Sequence, residues 1–193
     1  MSKQVVVIAG PSGSGESTIT NAVIAKFPQR VTRLVTSTSR PPRTGEANGT
    51  DYYFFTKEEF LQKRDAGEIL ESTYVENRDV YYGTYAPDLT DKIKSGYIIA
   101  INPDIVGTKY YKEHYDAATI FIKPESIDQL MGRIRKRSPE FDDAEIARRR
   151  EQAKEEMNDE QLYDYVVVNA DGKLDEAVDK VIEILKKEGY NLG

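Results

Sequence analysis

Apolar residues in this chain come in short blocks whose period changes from strand-like to helical and back. Residues 4–9 form a β-branched apolar run, the pattern of a strand buried on both faces. A glycine-rich loop follows, then a helical period over 17–27 that stops at Pro28. Residues 31–37 read as a second strand. The stretch SRPPRTGEANGTDYYFF carries a Pro-Pro corner and an Asn-Gly turn before alternating aromatics, which predicts a loop leading into a hairpin. A short helix over 57–66 ends at Gly67, and EILESTYVENRDVYYGT reads as strand, turn, strand with its polar tip at 77–79. Further on, the pattern predicts a helix over 88–94 and a buried strand in GYIIAINPD. It adds strands over 117–122 and 165–169, and helices over 126–137, 143–157 and 174–188. Strands alternating with helices predict an α/β domain with a parallel sheet. The stretch 37–86 breaks that alternation and reads as an antiparallel insert.

Composition narrows the picture. The 193 residues, 39% hydrophobic and 31% charged, suit one soluble globular domain. The longest apolar runs, 5–9 and 97–101, are far too short to span a bilayer. The first residues pass straight into a strand with no room for a signal peptide, so the expected location is the cytoplasm. No cysteine is present, which excludes disulfides, thiolate metal sites and cysteine nucleophiles. The lone histidine, His114, lies among acids and tyrosines and is expected on the surface, not in a catalytic triad. A net charge of −6 argues against broad nucleic-acid binding. Within that acidic chain, residues 133–150 are locally basic through Arg133, Arg135, Lys136, Arg137, Arg148, Arg149 and Arg150. Such a segment suits an anionic ligand or a solvated helix face.

The stretch GPSGSGEST, residues 10–18, follows the phosphate-loop frame G-x-x-x-x-G-K-[ST] at Gly10, Gly15 and Ser17. Its glycines let backbone N–H groups turn inward, and the following helix adds its positive end. Ser17 or Thr18 can place a hydroxyl on Mg²⁺. The frame is broken at one position, where Glu16 replaces the lysine. A second motif sets Arg40 and Arg43 around the Pro-Pro corner, with Tyr52 and Tyr53 after the turn. Guanidinium groups there suit phosphate, and tyrosine hydroxyls can complete its shell. A basic surface loop with a tyrosine-rich hairpin has the same composition.

GPSGSGxST, TSTSRPPRTGEANGTDYYF, EILES, VYYGT and the later arginine-rich segment together resemble the guanylate kinases, in the same order and at similar spacings. The second block is the most specific. The resemblance implies a P-loop kinase core of parallel sheet and flanking helices over about 1–35, 87–124 and 158–193. It implies a GMP-binding insert over about 36–86 and a helical lid over about 125–157. The implied partners are GMP and ATP with Mg²⁺, and neither nucleic acid nor membrane. The implied triphosphate-binding residues are Ser12, Gly13, Ser14, Gly15, Glu16, Ser17 and Thr18, with Ser17 on the metal and Asn169 near adenine. Arg40, Arg43, Tyr52 and Tyr82 match positions that hold the GMP phosphate, while Thr36, Glu71 and Thr84 match those that read guanine. Glu71 makes chemical sense, because a carboxylate accepts from both N1–H and N2–H₂ of guanine. Asn102 and Asp104 match a pair of aspartates beside the acceptor, so Asn102 is a second departure from the family pattern. Arg133, Arg137 and Arg149 match arginines that close over the transferring phosphoryl group.

Two unit charges about 4 Å apart interact by about 4 kcal/mol at an effective dielectric near 20, so Glu16 opposes the phosphates unless something offsets it. It can swing outward while lid arginines supply charge, or ligate a metal ion. Alternatively transfer is lost, leaving a GMP sensor or a phosphopeptide-binding module. Retention of Gly10 to Ser17 favours a nucleotide over a peptide, and Glu71 favours guanine over other monophosphates.

Overall fold

The computed structural model describes residues 3–193. Its larger sheet has five parallel strands in the order β2-β7-β1-β8-β9: β1 is Val5–Ala9, β2 Val31–Arg33, β7 Ile98–Ile101, β8 Ala118–Lys123 and β9 Tyr165–Val168. The alternation within β1 decides how the layers assemble. Val6 and Ile8 face one way, onto Ile19 and Val23 of helix α1 (Glu16–Lys26) and onto Val181 and Leu185 of helix α7 (Leu174–Lys187). Val5, Val7 and Ala9 face the other way, onto Leu89 of α3 (Ala86–Lys94) and Tyr111 of α4 (Ile105–Tyr115). Helix α7 keeps Ala177, Val178, Val181, Ile182 and Leu185 on one stripe, the spacing of a helix docked by one face. Each fully buried aliphatic side chain contributes about 1.5–3 kcal/mol.

A second, smaller sheet has the order β4-β3-β6-β5, with β3 Ser37–Thr38, β4 Tyr53–Phe54, β5 Ile69–Val75 and β6 Val80–Tyr85. The pairings β3–β6 and β5–β6 are antiparallel as expected, but β3–β4 is parallel, so this sheet is mixed. The hairpin predicted after Asn48-Gly49 does not form: the Asn48 side chain accepts from Phe54 N–H at 2.9 Å and turns the chain to run alongside β3. Helix α2 (Lys57–Asp65) starts with a capping box in which Thr56 and Glu59 satisfy each other's backbone N–H. The remaining helices, α5 (Ile127–Arg137) and α6 (Asp143–Asn158), pack on each other through Leu130, Met131, Ile134, Ile146 and Ala153.

Two sequence expectations are corrected. The strand predicted over 31–37 is divided between the sheets. At Val35 the backbone N–H leaves the strand ladder for the Asp88 carboxylate at 3.0 Å, so the chain bends out of one sheet before entering the other. Helix α4 has no counterpart in the pattern reading, because its Gly107 and paired tyrosines hide the period. Its start was nonetheless marked by Asp104, whose side chain caps Gly107 N–H at 3.0 Å. His114, on the last turn of α4, is exposed as expected. Among the described residues no helix is long and apolar enough to cross a membrane.

The end of the chain ties the sheet together. Tyr190 is buried, and its hydroxyl donates to the Val5 carbonyl and accepts from Ala118 N–H at 3.0 Å, joining β1 to β8. Tyr190→Phe therefore strands two buried backbone groups. Urea unfolding should show a loss of about 2 kcal/mol, and an unchanged midpoint would mean those groups find other partners.

Candidate active site

The loop after β1 lies at the carboxyl end of the central strand, where open α/β sheets place their ligands. Gly13 (φ 94°) and Gly15 (φ 97°) both take the left-handed conformation, and Gly15 stands at the N-cap of α1 with no side chain capping it. The N–H groups of that first turn remain available to an anion. The loop is held from outside. Asn169 Nδ2 donates to Ser14 O at 2.7 Å, and Arg133 donates to Ser14 O at 3.2 Å and to Asn169 O at 2.8 Å. Asp171 fixes Arg133 in turn at 2.7 Å.

Two cavities border this loop, and a third adjoins one of them through Asn102 and Asp104. A donor-side cavity is lined by Gly13, Gly15, Glu16, Ser17 and Thr18, by Arg133 and Arg137, and by residues 169–172. Across from it an acceptor-side cavity is lined by Thr36, Tyr52, Glu71, Thr73, Tyr82, Thr84, Asn102 and Asp104. Between them a third is lined by Gly10, Ser12, Glu16, Asn102 and Asp104. Glu16 thus belongs to the donor and middle cavities, and Asn102 and Asp104 to the middle and acceptor cavities.

The sequence-predicted residues fall into three groups. Those in the loop converge, as do Thr36, Tyr52, Glu71, Tyr82, Thr84, Asn102 and Asp104 around the acceptor cavity. Asn102 is pinned by its amide, which donates to Ile8 O at 2.6 Å and Thr20 Oγ1 at 3.0 Å. Arg40 sits beside the acceptor cavity, its guanidinium 5.1 Å from the Tyr52 ring and doubly bonded to Glu46 at 2.6 and 2.7 Å. Glu46 also accepts from Arg43 N–H at 2.7 Å, while the Arg43 residue itself is exposed. Those contacts hold the Glu46 carboxyl well below the usual range, at about 2. Arg137 reaches the loop through Ser12 Oγ at 3.3 Å. The outlier is Arg149, which pairs with Glu145 at 2.8 Å and lies over the Phe141 ring, outside the three cavities. Asn169 lies under the loop as a brace. Sequence reasoning missed Glu46, although it stood inside the quoted arginine motif, and it missed the brace formed by Asp171.

Glu16 does not point away from the loop. Its carboxylate accepts from Ser14 Oγ at 3.0 Å, and the Ser14 residue is fully buried. In the family pattern a lysine would stand there.

With this geometry described, the class is that of P-loop α/β proteins that bind nucleotides. The chain belongs to the guanylate kinase family. The model described as guanylate kinase matches residues 2–188. The guanylate kinase of Symbiobacterium thermophilum is 38% identical over 167 residues, covering 86% of this chain and 77% of that protein. That of Caldanaerobacter subterraneus subsp. tengcongensis is 37% identical over 185 residues, covering 95% and 86%. A crystal structure of guanylate kinase from Anaplasma phagocytophilum superposes with a TM-score of 0.70 at 29% identity, covering 99% of this chain and 89% of that one.

Glu71 is a half-buried carboxyl in the acceptor-side cavity. Burial raises its carboxyl pKa above the ordinary value; the hydrogen bond from Thr84 Oγ1, at 2.6 Å, opposes this and the charge of Asp104 adds to it. The folded protein therefore holds this proton more tightly than the unfolded chain. Ionised Glu71 costs stability in full above its folded pKa, and the cost fades as pH falls toward the unfolded value. Unliganded Glu71→Gln should thus melt higher than the wild type near pH about 7, with the gap closing toward pH about 4. Thermal melts across that range test it, and a lower melting point at neutral pH would show that Thr84 outweighs burial.

Proposed function

We propose that the protein transfers the γ-phosphoryl group of ATP to GMP, giving ADP and GDP. The observation that supports this reading best is the sharing of residues among the cavities: donor and acceptor spaces meet across Glu16, Asn102 and Asp104. A phosphate oxygen of GMP approaching from one side can attack the γ-phosphorus from the other, breaking its bond to the β-phosphate oxygen. Transfer of this kind depends on positioning and on charge around the equatorial oxygens.

In this reading the loop amides and the start of α1 hold the donor phosphates. Asn169 and Arg133 keep the loop in shape, and Arg137 faces the triphosphate. Glu71 accepts from N1–H and N2–H₂ of guanine with Thr84 and Thr36 beside it. Tyr52, Tyr82, Arg40 and Arg43 hold the GMP phosphate, with Glu46 keeping Arg40 in place until that phosphate arrives. Residues 36–86 then form the acceptor insert and residues 125–157 a lid, the remainder being core. Lid closure would have to carry Arg149 from Glu145 to the phosphates. Ser17 Oγ lies on the donor cavity with no hydrogen-bond partner in the chain among the described residues, and no cluster of acidic or histidine side chains there could cage a metal alone. That fits Mg²⁺ held by Ser17 together with phosphate oxygens and water. Bound there, the ion would neutralise phosphate charge. The cytoplasm, where both nucleotides reside, is the matching location.

Glu16 favours one other reading, a guanylate-kinase-like module that binds GMP or a phosphopeptide without turnover. A coupled assay with ATP, Mg²⁺ and GMP separates the two, and absence of turnover at high enzyme concentration would select the module.

Base selection and phosphate grip are separable. AMP should bind at least about tenfold more weakly than GMP, since adenine leaves the Glu71 carboxylate without donors. Arg43→Ala should weaken GMP more than Tyr82→Phe does, both leaving guanosine nearly unaffected, because the arginine contact is charge-assisted. Calorimetry with GMP, AMP and guanosine reads these differences. Equal affinity for GMP and AMP would remove Glu71 from base reading, and parallel losses with guanosine would make Arg43 and Tyr82 supports of the fold.

A further inference from the structure

Arg33 is a cation that the reading above leaves without a task. It closes β2, and its backbone carbonyl is held by Lys92 Nζ at 2.8 Å, so the chain there is fixed. Its guanidinium reaches the first turn of α1, where Nη2 donates to Ser17 O at a long 3.3 Å. Its Nε is buried and has no hydrogen-bond partner. Among the described residues no carboxylate lies within ion-pair distance of Arg33, although most of the chain's arginines have one. Burial lowers its pKa from the ordinary value, while the neighbouring Glu16 and Tyr52 raise it. A guanidinium stays charged throughout. A half-buried, underpaired cation therefore stands at the first turn of α1, against the residue that follows Glu16.

Glu16 presents the complementary problem. Bonded to Ser14, its carboxylate occupies the loop that the donor phosphates need. When a triphosphate enters, repulsion must drive that carboxylate away, and a carboxylate leaving one hydrogen bond in a half-buried site requires another partner. On the donor side Arg133 is engaged with Asp171 and the loop carbonyls, and Arg137 is exposed with one 3.3 Å contact to Ser12. Arg33 differs from both in pairing a buried donor that has no partner with a contact to Ser17, the residue next to Glu16.

We propose that Arg33 is the receiving partner of Glu16: when ATP binds, the carboxylate leaves Ser14 and pairs with Arg33, which clears the loop and cancels the misplaced negative charge. Arg33 is on this account a positioning residue, acting on the nucleotide through Glu16. The inference rests on the reading that ATP binds at the loop.

The test measures ATP·Mg²⁺ binding by calorimetry in the wild type, Arg33→Met, Glu16→Gln and the double variant, with GMP binding as a control on the fold. Arg33→Met should weaken ATP about tenfold, and Arg33→Lys should recover much of that loss. In the Glu16→Gln background the same arginine change should cost less than about threefold, because no carboxylate remains to be received. GMP affinity should stay within about twofold throughout. Equal losses in both backgrounds, or none in either, would overturn the role of Arg33. So would a GMP loss that follows the ATP loss, since that pattern belongs to a structural residue. The two readings fail separately. A wild type that binds ATP with the expected coupling yet never phosphorylates GMP refutes the transferase alone, and one that binds no ATP refutes both.

Discussion

The site depends on a steric constraint: the loop is pressed against the end of β8 and against Asn169, just beyond β9, with almost no room to spare. A Cβ at Gly10 would stand 2.3 Å from the Ile122 carbonyl oxygen, and one at Gly15 would stand 2.4 Å from the Asn169 amide. Both distances lie far inside van der Waals contact, and at Gly15 the left-handed backbone adds its own penalty for any other residue. Because the loop is pressed so close to its neighbours, Asn169 and Arg133 can grip the Ser14 carbonyl, and the inward-facing amides keep their direction. The packing of the core on both faces of β1 holds those neighbours where the constraint needs them.

Electrostatics then divides the molecule unevenly. On the acceptor side two ion pairs are already in place, Arg40 with Glu46 and Lys92 with Asp88, while Glu71 accepts from the Thr84 hydroxyl. On the donor side the charges are less settled. Glu16 rests on a neutral hydroxyl, Arg33 lacks a full set of partners, and Arg137 touches only a serine. An unliganded site whose charges are mutually satisfied is poised to exchange one partner for another. One with unmatched charges must rearrange when a highly charged ligand arrives.

What could be read from sequence was what the chain decides locally. The glycine loop and the helix over 174–188 are each written within a few residues and form where expected, and the arginine–tyrosine motif puts Tyr52 on a cavity while leaving Arg43 exposed. Elements decided by distant partners were not legible. The bend at Val35 depends on Asp88, and the docking of α4 on Tyr111 meeting the underside of the sheet. The same division runs through the site. Glu71 and Thr84, named through a motif, line one cavity together, whereas the surroundings of Arg33 exist only once the chain has folded.

The brace on Ser14 spans 155 positions of sequence, and the Tyr190 clasp on Val5 spans 185. A ribosome makes the loop well before the residues that hold it. During synthesis the loop is an unsupported glycine-rich turn, and β1 gains its first strand neighbour only once residues 98–101 have emerged and its second only past residue 118. Forming such distant contacts delays folding until late. A chain that stops before residue 169 thus carries the signature of a nucleotide site without the amide that braces its loop.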